Sequence, residues 1–147
     1  MTGVEPSSCD LPIFRYGHRA TSPDGTRAAW IDQASEQSMG NPTLGTLTLS
    51  DGLTFPKCNL SFLWSDCSRY LAAPKYHRMF GLFLTTKMAI VDCDDRVIWL
   101  ARPAHGWLQP ESFKNGVLVA SRHFRQNGRT MRWEIPTCFE DMVRVAY

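Results

Sequence analysis

The chain has 147 residues, of which 44% are hydrophobic and 20% are charged, and it carries a formal net charge of +2. This length is most simply one domain, with a core large enough to fold without disulfide bonds or a metal. The small net charge disfavours a nucleic-acid surface, and no apolar run approaches the roughly 18 residues that a membrane helix needs.

The chain opens on a polar stretch, residues 1–10, which is predicted to be a loose arm. It lacks the apolar segment of a signal peptide. We therefore expect a cytoplasmic protein, or a periplasmic or secreted one if a signal peptide has been removed. Leu11–Tyr16 is predicted as an edge strand, because Pro12 cannot donate to a ladder. A tight turn follows at Ser22–Arg27, where Pro23 fixes φ and Gly25 accepts a positive φ.

Short segments rich in apolar and β-branched residues then alternate with turn signals. Strands are predicted at Arg27–Asp32, Leu44–Ser50, Leu53–Phe55, Cys58–Trp64, Arg69–Ala73, Leu82–Val91, Arg96–Ala101, Ser112–Phe113, Val117–His123 and Arg129–Ile135. Turns are predicted at Asp24-Gly25, Asp51-Gly52, Asp66–Ser68, Asp92–Asp95, Asn115-Gly116 and Asn127-Gly128. For the C-terminus, Cys138–Val143 fits a helical turn and Met142–Tyr147 alternates like a strand. The lack of a helical apolar stripe predicts an all-β fold.

The turn and its following strand recur along the chain. Asp66–Ala73 aligns with Asp24–Ile31, which places Arg69 on Arg27, and Phe113–Ala120 is a weaker third copy. Periods of about 40–45 residues are typical of four-stranded propeller blades. We therefore predict antiparallel sheets in three blade-like repeats of about 42 residues, arranged as a partial propeller or an open sandwich. A single domain, 1–147, would contain units at about 11–57, 58–102 and 103–147.

The first turn carries a resemblance to known families. Ser22-Pro-Asp-Gly-Thr-Arg27, followed by a strand of small apolar residues, resembles the turn in propeller blades of the TolB and WD-type repeat families. Trp64–Ala72 looks like a second copy, with Cys67 where those families usually have glycine. Three units are fewer than a closed ring needs. The resemblance therefore implies either an open stack or a ring completed by association of copies.

No residue pattern identifies an active site or a metal site. The five cysteines are odd in number and contain no C-x-x-C pair, which predicts reduced thiols. The four histidines lack metal-ligand spacing. Asp92–Asp95 has three carboxylates, but the spacing of an EF-hand is absent, and a solvated hairpin tip is the simpler interpretation. We predict no cofactor, no metal and no catalytic residue.

Four arginines crowd one predicted hairpin, at positions 122, 125, 129 and 132. Guanidinium groups suit carboxylate or phosphate partners. An ordinary solvated hairpin, a patch for an acidic protein and a nucleic-acid contact are the three interpretations, and the near-neutral net charge weighs against the last.

In a blade-like repeat, connections alternate between two faces of the stack. The longer ones are then expected on one face: Gln33–Thr43, Phe55–Lys57, Pro74–Phe80, Arg102–Pro110 and His123–Gly128. They contain aromatic, Met and Arg residues, which are enriched in interface cores. The predicted partner-binding residues are Met39, Tyr76, His77, Arg78, His105, Trp107, Phe124 and Arg125.

The asymmetry between the faces predicts a non-enzymatic protein-binding domain. The most concrete hypothesis is a cytoplasmic inhibitor or immunity protein that neutralises a partner toxin or enzyme by covering its active site, an analogy of size and class. Two alternatives stay open: a propeller-like lectin whose tryptophans stack on sugars, and a small enzyme that uses a cysteine or a histidine. The predicted partner is another protein, with a homo-oligomer as a further alternative. No membrane contact is predicted.

Overall fold

A computed structural model describes residues 16–36, 42–79, 83–123 and 129–147. The described chain is all-β, as predicted, with antiparallel strands throughout. The strands are β1 (His18–Thr21), β2 (Ala28–Ile31), β3 (Ser35–Glu36), β4 (Thr43–Leu49), β5 (Thr54–Cys58), β6 (Leu63–Trp64), β7 (Tyr70–Met79), β8 (Phe83–Asp92), β9 (Val97–Leu100), β10 (Ala104–His105), β11 (Trp107–Lys114), β12 (Val117–His123), β13 (Arg129–Glu134) and β14 (Val143–Ala146). A 3-10 helix, Thr137–Asp141, precedes β14.

Five of the six predicted turns connect strands where the sequence placed them, and the sixth, Asn127-Gly128, lies outside the described residues. Strand β12 has the predicted bounds. Both expectations for the C-terminus are confirmed, since a helical turn is followed by a strand. The predicted first strand falls outside the described residues except for Tyr16, which is not in a strand.

The predicted end of a strand at Pro74 is wrong, because β7 runs through the proline to Met79 and pairs with β8 along its whole length. The Pro74 carbonyl accepts a hydrogen bond from the Asn59 amide at 3.1 Å. The ring nitrogen points to the same side as this carbonyl, where residues 59–62 between β5 and β6 form no strand. The missing N–H therefore removes no ladder hydrogen bond.

Two further boundaries differ from the prediction. Cys58–Trp64 is not one strand, because the chain turns at residues 59–62 between β5 and β6. The predicted loop Arg102–Pro110 is mostly strand, since β11 already begins at Trp107. Pro110 fits there because the register with β12 shifts between Pro110 and Ser112, which is a bulge where a missing donor is tolerated.

The strands form three layers. Strands β1-β2-β4-β5 make the first sheet, β6-β7-β8-β9-β14 the middle sheet and β11-β12-β13 the third sheet. The first two are continuous through one residue pair, Cys58 with Lys75. Side chains alternate along β7, so that Leu71 and Ala73 join the core shared with the first sheet, whereas Ala72 joins the core shared with the third. The middle sheet is therefore buried on both faces.

The turn repeat exists in three dimensions, shifted by one position from the sequence alignment. The Arg27 and Tyr70 amides donate to the hydroxyls of Ser22 and Ser65, each at 3.0 Å. The residue with positive φ is Gly25 (φ 76°) in the first turn and Ser68 (φ 64°) in the second. Cys67 therefore corresponds to Asp24 and not to the glycine, and the alignment of Asp24 with Asp66 is off by one.

Candidate functional site: the loop end of the stack

Antiparallel strands give the stack two unlike ends. The turn end consists of the tight turns at residues 22–27, 50–53, 65–69, 93–96 and 115–116. The loop end consists of the described strand ends that flank the longer connections, at residues 32–36 and 42–43, 75–79 and 83–87, 100–109, and 121–123 and 129–130. The strand ends beside these connections lie at a common end, as the repeat predicts. Phe55–Lys57, predicted as a connection at this end, instead lies within β5. The connection from β13 to β14 begins at the turn end, where the Ile135 amide donates to the Gly116 carbonyl at 2.8 Å. A partner would meet the most varied side chains at the loop end.

At the turn end, charges pair with one another inside the fold. The Arg69 guanidinium donates to both oxygens of Asp92, at 3.0 and 2.9 Å, and to Asp95 at 3.1 Å. Arg27 binds Asp94 at 2.6 Å and also donates to the Ser68 carbonyl at 2.9 Å. Arginine is thus the partner of all three carboxylates in the Asp92–Asp95 turn, so the turn is neither a plain solvated tip nor a calcium loop.

Hydrogen bonds from backbone amides join the tight turns of the three sheets in series. The Asp24 amide donates to the Ser68 hydroxyl, and the Asp66 amide donates to the Phe113 carbonyl, both at 3.0 Å. The Asp66 carboxylate in turn accepts from the Asn115 amide at 3.0 Å. These hydrogen bonds hold the three sheets at a fixed spacing at the turn end. Most polar groups there have partners within the fold.

At the loop end, two lysines lie opposite each other and lack a carboxylate. Lys75 on β7 and Lys87 on β8 are cross-strand partners, and both are half-buried. The Lys75 ammonium lies 4.2 Å from the centre of the Phe55 ring. Within the described residues, neither lysine forms an ion pair. Like charges directly opposite are destabilising in a sheet. The Phe55 ring offsets part of this cost for Lys75, but no described carboxylate pairs with either ammonium.

His77 lies two residues further along β7, on the same side as Lys75. Burial, and after it the ammoniums of Lys87 and Lys75, lower the pKa of His77 from its ordinary value of 6.5. At neutral pH the histidine is therefore uncharged. An anion at this position would reverse the charge effect, raise the pKa and favour the protonated ring. The three side chains form what we call the cationic cluster: Lys75, His77 and Lys87.

The predicted partner-binding residues that the structure describes lie at the same end but not on the same face. His77 belongs to the cationic cluster, and His105 shares its cross-strand row, because both are opposite Thr85. Tyr76 is half-buried on the other side of β7, towards the third sheet, and Trp107 begins β11. Arg78 belongs to β7, with a side chain outside the described part. Met39, Phe124 and Arg125 lie outside the described residues.

Trp107 stacks on a histidine of the outer face of the third sheet. The rings of Trp107 and His123 are 3.9 Å apart and tilted by 15°. The Ser121 hydroxyl donates to Glu111 at 2.7 Å and lies 3.0 Å from His123 Nε2. Since that hydroxyl proton is given to Glu111, the histidine nitrogen donates to Ser121 and does not act as its base. This order differs from a nucleophilic triad, in which the histidine accepts the serine proton.

The tryptophans that the lectin alternative requires are largely covered by the protein. Trp30 has the Arg19 guanidinium 5.0 Å from its ring centre, and Trp64 is buried and donates to the Ala20 carbonyl. Trp99 stacks on Phe139 at 4.5 Å, as Trp107 does on His123. Trp133 is half-buried and packs against the second core. In Trp30, Trp99 and Trp107 one face of the indole is occupied by a neighbouring side chain, so a sugar would have to stack on the other face.

The described cysteines, at positions 58, 67, 93 and 138, are free thiols, which is consistent with the predicted reduced state. Burial raises the pKa of Cys58 to about 12 and that of Cys93 to about 11. Both thiols are therefore protonated and weakly nucleophilic at neutral pH. Among the described residues no group of three or more His, Cys, Asp or Glu side chains is placed to hold a metal ion.

Sequence reasoning missed Lys75 and Lys87. The missing donor of Pro74 predicts the end of a strand there, which puts residues 75–80 in a loop. A strand continued through Pro74 pairs residue 75 with residue 87 in the observed register of β7 on β8, and local sequence signals do not reveal this register.

Comparisons with protein-family models, with curated proteins and with solved structures found no match for this chain. Within the described residues, no helix has the length and apolar character needed to cross a membrane.

Proposed function

We propose that this chain is a protein-binding domain without catalytic activity of its own, which inhibits a partner enzyme or toxin by covering its active site with the loop end. The observation that carries the proposal is that charged side chains are paired with opposite charges at the turn end but not at the loop end. The turn end pairs its arginines internally, whereas the loop end holds Lys75 opposite Lys87. A pair that costs stability and lies on rigid strands is best explained by an anionic partner.

The partner surface that fits is acidic. Two lysines on neighbouring strands, whose Cβ atoms lie about 5 Å apart as in other cross-strand pairs, suit a pair of carboxylates in a cleft. Carboxylates are frequent acid–base groups of active sites. His77 adds a third cation once an anion raises its pKa. Complementary charge speeds encounter, and aromatic side chains such as Tyr76 supply contact area. Inhibition would be steric, because the rigid stack closes the cleft. The same proposal places the protein in the cytoplasm, where free thiols are stable.

The test uses Lys87→Glu, which makes opposite predictions for stability and for binding. A carboxylate facing Lys75 replaces repulsion by attraction, so the isolated protein should gain about 0.2–1 kcal/mol of unfolding free energy. Affinity for the natural partner, captured from the source cell with the unaltered protein, should fall at least tenfold, and inhibition should fall with it. Lys114→Glu, with the same charge change at the turn end of the third sheet, is the control and should alter neither.

Two results would contradict the proposal. The first is a loss of stability in Lys87→Glu, which would mean that the lysine pair is compensated within the fold. The second is a captured partner that binds Lys87→Glu as tightly as the unaltered protein, since the loop end would then not be the contact.

A further inference from the structure

Like charges face each other across two pairs of strands in the described ladders, and both pairs lie at the loop end. The first is Lys75 with Lys87 on the middle sheet. The second is Arg122 on β12 with Arg129 on β13, in the third sheet. Both arginines belong to the four that crowd one hairpin in the sequence. Like charges directly opposite lower the stability of a sheet, so the pairing within the third sheet does not explain why they are there.

The arginine pair lies on the inner face of the third sheet, just beyond the second core. Ala120, two residues before Arg122, is buried in that core, and so is Leu108, the partner of Arg122 on β11. Because side chains alternate along a strand, Arg122 and its partner Arg129 point to the same side as these apolar residues. Arg122 is half-buried there and Arg129 is exposed. The pair is therefore at the mouth of the space between the third and middle sheets.

The Nε atom of Arg122 is buried and has no hydrogen-bond partner. Among residues 16–36, 42–79, 83–123 and 129–147, no other buried side-chain nitrogen or oxygen is in this condition. A charged donor that is buried without an acceptor costs free energy. Arg132 shows the contrast on the outer face of the same hairpin, because it binds Glu134 at 3.1 Å.

The surroundings of the pair do not supply the missing acceptor. No described carboxylate forms an ion pair with Arg122 or Arg129. Glu111 on β11 accepts the Ser121 hydroxyl, and Ser121 points to the outer face. In the sequence, residues 37–41, 80–82 and 124–128, which connect strands at the loop end, contain no aspartate or glutamate. The positive charge of the pair is therefore not matched within the described fold.

The chemistry of the two side chains selects the class of ligand. A guanidinium offers parallel N–H donors that fit two oxygens of a carboxylate or a phosphate, and Nε–H is one donor of this fork. An oxyanion between the strands would give Arg122 Nε its acceptor and would offset the repulsion between the two guanidiniums. Because Nε is covered by the fold, the Arg122 side chain must turn outwards as the ligand binds.

We propose that Arg122 and Arg129 form a binding site for an oxyanion, the carboxylate or phosphate group of a ligand, at the mouth between the third and middle sheets. This site is separate from the cationic cluster, because Lys75 follows Leu71 and Ala73 on the side of the middle sheet that faces the first sheet. It does not depend on the function proposed for that cluster.

The probes are inorganic phosphate and acetate, each titrated into the full chain labelled with nitrogen-15, with sodium chloride at equal ionic strength as the reference. The Nε–H resonance of Arg122, assigned by its loss in Arg122→Lys, should shift to saturation with at least one of the two oxyanions and not with chloride. Saturation by phosphate alone would identify a phosphate group as the ligand. Saturation by acetate, alone or as well, would identify a carboxylate as one that the site accepts.

Three variants locate the binding, followed by the backbone amides of β12 and β13. Arg122→Lys keeps the charge but removes the Nε–H and the fork, so binding should weaken about tenfold or more. Arg129→Gln, at an exposed position that the fold does not depend on, should weaken binding to a similar extent. Arg132→Gln makes the same change at an exposed arginine that already has a carboxylate, and it is the matched control, expected within about twofold of the unaltered protein.

Lys87→Glu separates this inference from the proposed function, because it should leave oxyanion binding at Arg122 within about twofold while it weakens binding of the natural partner. The inference is overturned if neither oxyanion shifts the Arg122 Nε–H beyond the chloride reference. It is also overturned if Arg122→Lys binds as tightly as the unaltered protein, since binding would then reflect only general attraction to positive charge. A mass that doubles with concentration in light scattering, together with protection of the Arg122 Nε–H before any oxyanion is added, would assign the acceptor to a second copy and overturn it as well.

Discussion

The Asp92 carboxylate offers the sharpest test of how the turn end holds the stack together. Its side chain is only 4% exposed, receives two hydrogen bonds from Arg69 and accepts the amides of Asp94 and Asp95 at 3.1 and 3.2 Å. Asp92→Ala removes all four interactions and leaves the guanidinium without its main partner. Asp95→Ala, at a side chain that is 70% exposed, removes one contact of the same arginine and is the matched control.

The magnitude follows from the geometry. Breaking a fully buried ion pair costs about 3–5 kcal/mol. The Arg69 side chain is 37% exposed, so water and Asp95 recover part of this, and we expect a loss of about 3 kcal/mol for Asp92→Ala. For a chain of this length that corresponds to a fall in melting temperature of about 9 °C. Asp95→Ala should cost less than about 0.5 kcal/mol.

Urea unfolding followed by tryptophan fluorescence measures both variants, and the unchanged slope of free energy against urea would show that the unfolded state is the same. The fluorescence of the folded variants should match that of the unaltered protein, because the hydrogen-bond and cross-strand partners given for Asp92 include no tryptophan. A loss in Asp92→Ala no larger than that in Asp95→Ala would refute the reasoning, since burial of the carboxylate would then contribute nothing.

Three further outcomes are expected. A Cβ at Gly45 would lie 2.5 Å from a buried isoleucine methyl, so Gly45→Ala should lose about 1–3 kcal/mol in urea unfolding, whereas Gly17→Ala, with nothing closer than 3.4 Å, should lose less. Hydrogen bonds from neighbouring amide and hydroxyl groups lower the pKa of Asp24 from 3.8 to about 2. The ionised carboxylate therefore stabilises the fold fully above about pH 4, and this stabilisation is lost as the pH falls towards 2. In Asp24→Asn, the melting temperature should depend less on pH between about 4 and 2. A thiol reagent should label exposed Cys67 in the folded protein and buried Cys58 only after unfolding, as peptide mapping would show, and equal rates would contradict the core assignment.

Local signals in the sequence were sufficient for the turns and for most strands. Asp51-Gly52 and Asn115-Gly116 require positive φ at positions that glycine or asparagine tolerates, and the structure has it at Gly52 and at both residues of the second pair. The alternation of leucine and threonine from residue 44 to 49 matches the burial pattern of β4. These features depend on neighbours within a few residues, which is the range over which sequence patterns carry information.

Features that depend on distant partners were not predictable. Pro74 is compatible with a central strand only because the neighbouring strand β5 ends at Cys58. No ladder hydrogen bond is therefore needed from the position of its missing N–H, on the side where Asn59 lies. The destination of β14 was equally hidden, because its pairing with β9 joins the C-terminus to the middle sheet. The candidate site followed the same pattern. The order of short and long connections was enough to predict the loop end. The lysine pair could be recognised only once the register of β7 on β8 was known.

The outer faces of the stack weigh against a ring completed by further copies. The outward positions of the first and third sheets are mixed. Arg19, Thr48 and Thr54 point outwards beside Trp30 on the first sheet. Ser121, Thr130 and Glu134 point outwards beside Val117, Val119 and Trp107 on the third. Stacking another sheet on either face would bury hydroxyls and charges, at a cost of about 1–3 kcal/mol for each group left unpaired. These polar positions weigh against closure of a ring by further copies, and contacts with other molecules are expected first at the loop end.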